Sequence, residues 1–250
     1  MGIKERIVAE ENEKDSKEMA LTRKLFPKGA VIKNLGNENY HIEANFEDDL
    51  FLSGGQKIEL DLEKKDGIEN GVRFEVKKFT VNGQKLNNEE TKINIIGKNF
   101  LEENKSDPLD IKEYRTEIYF GNHINIIFFE SFKTSAALAA YFHELGHINK
   151  NSDDISESEL NEICDKLHTF KENFTPELTE LSRKYIYDER RASLRALESA
   201  KLYKSIFDDK KISELKMFYS TMLTRKIQYP NVFTFSETLT ITDLDQDWHY

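Results

Sequence analysis

The hydrophobic residues of this chain change their repeat partway along it, and that change restricts the fold more than any other feature. Lys57-Ile58-Glu59-Leu60-Asp61-Leu62 and Val72-Arg73-Phe74-Glu75-Val76 alternate strictly between apolar and polar. A period of two belongs to strands with one buried face. Asp66-Gly67, Asn70-Gly71 and Asn82-Gly83 supply the positive φ angles of tight turns. From Ala136 onward the apolar positions (Ala136, Ala137, Leu138, Ala139, Ala140, Phe142, Leu145) recur every three or four residues, which is the spacing of a helix face. Two patterns in two separate stretches predict an α+β chain, with an antiparallel β-rich N-terminal half packed with a helical half.

The boundaries follow from punctuation. Residues 1–28 read as an N-terminal helix, stopped by Pro27-Lys28-Gly29. Residues 29–107 form the β-rich region, a meander in which the charged cluster Glu63-Lys64-Lys65-Asp66 reads as a solvated turn. The polar stretch from Glu102 to Pro108 marks its end. Residues 108–228 form the next region. It opens with a hairpin of Ile118-Tyr119-Phe120 and Ile124 to Phe129, followed by Ser131 as an N-cap, and is then almost wholly helical. Thr175-Pro176-Glu177 (a cap, a first-position proline and a first-turn acid) opens a long helix. Residues 229–250 are a C-terminal segment.

Composition narrows the function. The net charge of −10 argues against direct nucleic-acid binding, which calls for a basic face. No apolar run reaches the roughly 20 residues that cross a bilayer. The single cysteine, Cys164, excludes a disulfide framework. The first residues lack the apolar core of a secretory signal, and Arg6 stands where a myristoylation start has Ser or Thr. A cytoplasmic protein is expected.

The chemistry lies in Phe142-His143-Glu144-Leu145-Gly146-His147. Residues four apart share a helix face, so His143 and His147 can each offer a ring nitrogen to one zinc ion. Glu144 is placed to take a proton from a water at that metal without ligating it. With only 6 histidines in the chain, two at this spacing around a glutamate are not readily supplied by chance. The bland alternative is a pair of surface histidines on an ordinary helix. His41, His123 and His249 fall in turn-like or terminal contexts and read as solvated.

The H-E-L-G-H run resembles the zincin metallopeptidases, and within them the soluble bacterial ImmA/IrrE-like gluzincins. The resemblance covers roughly residues 115 to 206. It implies a zincin-like metallopeptidase core, a Zn2+ cofactor and a third ligand from a Glu in an E-x-x-A context on a later helix. Glu189, in Tyr187-Asp188-Glu189-Arg190-Arg191-Ala192, matches that context. Ala192 and Ala196 share its helix face, and with Gly146 they allow close helix approach. Asp153, six residues after His147, is the rival third ligand, at the place where metzincins carry one; its other reading is as an N-cap near Ile155. Tyr185, one turn before Glu189, is a candidate to stabilise a tetrahedral oxyanion, with Tyr187 and His168 as alternatives.

The implied activity is hydrolysis of peptide bonds in a specific protein or peptide substrate, such as a regulatory protein, with Glu144 as general base. In this clan an extended substrate pairs with the edge strand before the active helix, here residues 124 to 129. A second function class stands beside it: a zinc-containing sensor or protein-binding module whose metal site is closed and non-catalytic.

Overall fold

The computed structural model describes residues 19–66, 71–87, 91–98, 115–119, 124–129, 132–148, 176–227 and a few positions between 155 and 166. The chain divides into two compact units, residues 1–138 and 139–250. The class is α+β. No helix among the described residues is long and apolar enough to cross a membrane.

The first unit holds strands β1 (Val31–Gly36), β2 (Asn39–Asn45), β3 (Lys57–Lys65), β4 (Gly71–Val81), β5 (Gln84–Lys85), β6 (Thr91–Lys98), β7 (Arg115–Tyr119) and β8 (Ile124–Phe129). They form one sheet in the order β1-β2-β3-β4-β6-β8-β7, with β5 paired to β4 beside the path. Every pairing from β1 to β6 is antiparallel, which is the expected meander. Alternation did its work: Ile58, Leu60, Leu62, Val72, Phe74 and Val76 are all buried, while the residues between them are not. Asn82 and Gly83 carry positive φ angles of 49° and 78°, so the β4–β5 turn uses the conformation their sequence favours. Residues 19–25 are helical and end before Pro27, with the buried Leu25 and Phe26 at the stop.

Three expectations are corrected here. Glu63, Lys64 and Lys65 continue β3 instead of forming a turn. Lys65 and Lys77 both pair with Glu63, at 2.6 Å and 2.7 Å, and Lys77 also pairs with Glu75 at 2.6 Å. Alternating charge on neighbouring strands suits an exposed sheet face as well as a turn. His41 lies within β2, half-buried, with Nδ1 2.6 Å from Asp61 Oδ1. Finally, β8 is not an edge. It pairs antiparallel with β7, as the expected hairpin does, and also parallel with β6. Both of its hydrogen-bonding sides are occupied by the sheet, so residues 124 to 129 have no open side for a substrate strand. The strands flanking the polar stretch 102–108 share this sheet; the stretch itself, like Ser131, lies outside the described residues.

Phe132 centres the aromatic core of this unit, with ring centroids 5.1 Å from Phe128, 5.3 Å from Phe79 and 5.8 Å from Phe46. Ser135 then starts a helix, its Oγ donating to the Leu52 carbonyl at 2.9 Å. That helix, α1 (Ser135–Ile148), has its first turn in the first unit and the rest in the second. The second unit continues with α2 (Pro176–Leu202), which begins on the proline as expected, and α3 (Asp209–Ile227). Asp208 caps α3, accepting from the Lys211 amide at 2.8 Å.

Phe132→Ala should destabilise the sheet unit by about 3–5 kcal/mol, the range for deleting a buried ring. Urea unfolding followed by aromatic-region circular dichroism reads this. A loss below about 1 kcal/mol would remove Phe132 from the centre of the core.

Candidate metal centre

Helix α1 forms because its small and apolar residues bury almost every face: Ala136, Ala137, Leu138, Ala139, Tyr141 and Phe142 are each at most 1% exposed. Phe142 packs edge-on against Tyr203 at 5.3 Å and Phe207 at 5.1 Å. That packing fixes the rotation of α1 and turns the adjacent His143 away from the Phe142 cluster. One turn later His147 lies on the same face, with its Nε2 3.2 Å from His143 Nε2.

Helix α2 meets them. Glu189 Oε2 is 2.9 Å from His143 Nε2 and 3.6 Å from His147 Nε2. Glu189 is thus buried among the histidines, not solvated beside Arg190 and Arg191. His143, His147 and Glu189 form a buried trio that can hold a metal ion. A tetrahedral ion with bonds near 2.0–2.1 Å separates its ligand atoms by about 3.3–3.4 Å. The three observed separations bracket that value. Two imidazoles and a carboxylate are also a donor set that zinc and other divalent transition metals accept. The residues present therefore fit a metal ion; its identity is a separate matter.

The approach that makes this possible rests on Gly146. A Cβ there would lie 2.1 Å from the Ala192 carbonyl oxygen, so only glycine allows this contact. Ala192 itself is fully buried. Arg195 ties the same point, donating from Nη1 to the Gly146 carbonyl at 3.0 Å. Gly146 and Ala192, two of the small residues singled out in the sequence, are those that meet here.

Several neighbours were not singled out. Asp188 Oδ2 lies 3.2 Å from His147 Nδ1, and Ser193 Oγ lies 3.2 Å from His143 Nδ1. Tyr219 of α3 packs its ring against that of His143, centroids 5.7 Å apart and planes tilted by 42°, and donates its hydroxyl to the Ala139 carbonyl at 2.7 Å. Sequence carried a faint signal for two of them: Asp188 adjoins Glu189, and Ser193 lies four residues beyond it on the same face. Tyr219 had none. Among the other candidates, Tyr185 is half-buried on α2, and the Tyr187 hydroxyl accepts from Arg191 at 3.0 Å. Asp153 and His168 lie outside the described residues.

The electrostatics are dominated by carboxylates. Burial works to lower the His147 pKa, but the charge of Glu189, hydrogen bonds accepted by Asp188 and Glu189, and the charge of Glu144 outweigh it and raise it to about 9. Burial pushes the Tyr219 phenol well above its ordinary value, with the Glu144 charge adding to it. Glu144, itself buried, is therefore felt by groups on both α1 and α3.

Compared with protein-family models, curated proteins and solved structures, the chain matches none of them.

Two outcomes follow from the geometry. Gly146→Ala should destabilise the helical unit by at least about 1–3 kcal/mol, because the new methyl meets a backbone oxygen that cannot rotate away. An unchanged urea midpoint would mean that α1 and α2 are not this close. The second outcome concerns protons. His147, raised above its unfolded value of 6.5, stabilises the metal-free protein fully below that value and loses the effect as pH rises through about 9. A metal ligand must be deprotonated, so metal binding near pH 7.5 should release about one proton from this site. Calorimetry in buffers of different ionisation enthalpy measures it, and release of none would contradict the assignment of His147.

Proposed function

We propose that this chain is a zinc-dependent peptidase of the zincin type, acting inside the cell on a protein or peptide. The observation that carries the reading is the convergence of His143, His147 and Glu189 with the buried Glu144 beside them. Zinc held there by three protein atoms would keep a position for water and substrate and supply the Lewis acidity that makes water a nucleophile near neutral pH. Glu144 receives the water's proton during attack on the substrate carbonyl and returns it to the leaving amine. Its neighbours keep it from solvent, which strengthens its interaction with that proton. Tyr185 is retained as the group that would meet the tetrahedral oxyanion.

The depth of the site favours one other reading. His143, Glu144, His147 and Glu189 are between 3% and 9% exposed. A site this closed also suits a zinc-containing sensor or protein-binding module in which the metal clamps α1 to α2 without turnover.

The experiment compares wild type with Glu144→Gln by elemental analysis and by a proteolysis screen. The amide should keep one equivalent of zinc and lower hydrolysis about 10²-fold or more, since it cannot accept the proton. Unchanged turnover would sink the peptidase mechanism, and no turnover in either protein alongside full zinc loading would support the sensor. His143→Ala should abolish stoichiometric metal. Glu189→Ala should yield zinc to a mild chelator while Asp153→Ala does not; the reverse result would make Asp153 the third ligand.

A further inference from the structure

Glu189 is not the only residue of α2 aimed at the histidines. Asp188 and Ser193, on the same helix, each meet the ring nitrogen that faces away from Glu189. Ser193 has one hydroxyl hydrogen, and its Oγ lies 3.0 Å from the Glu189 carbonyl, which can only accept. With that hydrogen committed, the hydroxyl can only accept from His143 Nδ1–H at 3.2 Å. A neutral His143 then leaves Nε2 bare, 2.9 Å from Glu189 Oε2. On His147 the Asp188 carboxylate, 3.2 Å from Nδ1, accepts that hydrogen, so Nε2 is the nitrogen that a metal would take in place of a proton. Once a metal takes the place of the His147 Nε2 proton, two bare nitrogens and a carboxylate oxygen would converge on it, because the far side of each ring is already occupied.

We infer that Asp188 and Ser193 are positioning residues that hold both imidazoles in the Nδ1–H tautomer and so set how tightly the centre takes a divalent metal. The two do so unequally. Asp188, a carboxylate buried to 1% exposure, polarises the His147 ring toward the metal. Ser193, a neutral hydroxyl, orients the His143 ring without adding charge. His147 is accordingly the stronger donor. The inference rests on the metal-centre reading above but not on peptidase activity.

The test uses the full chain and zinc alone. Zinc affinity is measured by competition with a chromophoric chelator for wild type, Asp188→Asn and Ser193→Ala. Asp188→Asn should weaken binding about 10- to 100-fold, the usual cost of removing an outer partner of a metal-bound histidine. Ser193→Ala should cost less than about 10-fold, as for a neutral hydrogen bond. In ring ¹H–¹⁵N spectra of the zinc-loaded protein, both histidines should be metallated at Nε2 and protonated at Nδ1. The His147 proton should lie farther downfield, and Asp188→Asn should shift that signal alone, a change that a merely structural carboxylate would not produce. Affinities within about two-fold of wild type in both variants would overturn the inference, as would coordination through Nδ1 of either ring. Should Asp188→Asn not fold, the wild-type spectra decide by themselves. Wild type without a stoichiometric equivalent of zinc sinks the metal-centre reading together with the inference; wild type with zinc but the wrong tautomer sinks the inference alone.

Discussion

The contact of Gly146 with the Ala192 carbonyl sets the scale for everything else in the helical unit. Helices separated by ordinary side chains run with axes about 8–10 Å apart. Here nothing stands between Cα and carbonyl: a single added carbon would lie 2.1 Å from the oxygen. Ala196 and Ala200 continue the small stripe along α2, each fully buried. At this separation a histidine and a glutamate reach the same point while each stays close to its own helix. The donor spacing of the site is thus a property of residues that touch no metal.

That closeness has an electrostatic consequence. Three carboxyl side chains (Glu144, Asp188, Glu189) and two imidazoles share a region almost closed to water. Charge buried without a partner is costly, and even paired ions gain little net stability from burial. The raised His147 pKa is the metal-free answer, one proton drawn in by the surrounding carboxylates. A divalent ion would answer more completely, meeting all three convergent donors at once. Folding of this unit and metal binding are expected to be coupled, since the ion stabilises only the state in which α1 and α2 meet.

The sequence was legible where the chemistry is local. Period two located the buried face of β3 and β4, and Asn82-Gly83 announced its own turn. Four-residue spacing placed His143 and His147 on one face, and Gly146, Ala192 and Ala196 announced the helix contact. Glu189 came from resemblance to a family motif, and the fold brings it to the two histidines. What failed was non-local. Alternation is the same for parallel and antiparallel neighbours, so nothing in residues 124–129 said that β6 would pair beside them and take the second side of β8. The charges of Glu63 and Lys65 suggested a turn because their partners Lys77 and Glu75 stand on another strand. Asp188 and Ser193 acquire meaning only once the rings of α1 are in place. No spacing rule links Tyr219 to a histidine on α1.

Tyr219 shows why a third helix matters to a site whose donors come from two. The Ala139 carbonyl is the one to which the His143 amide donates within an ideal helix, and Tyr219 supplies a second donor to it at 2.7 Å. The same residue lays its ring beside the imidazole. One side chain therefore both holds the backbone turn beneath His143 and packs against its ring, while Ser193 meets Nδ1 from α2. Because burial keeps the phenol protonated far above neutral pH, the donor is present whatever the state of His147. His143 is fixed before any ligand arrives, and a preorganised ring loses less freedom when it binds. His147, held through a carboxylate and carrying a proton when metal is absent, is the ligand that must change state. The two histidines of one motif are thus given different tasks by the helices around them, one set by packing and the other by charge.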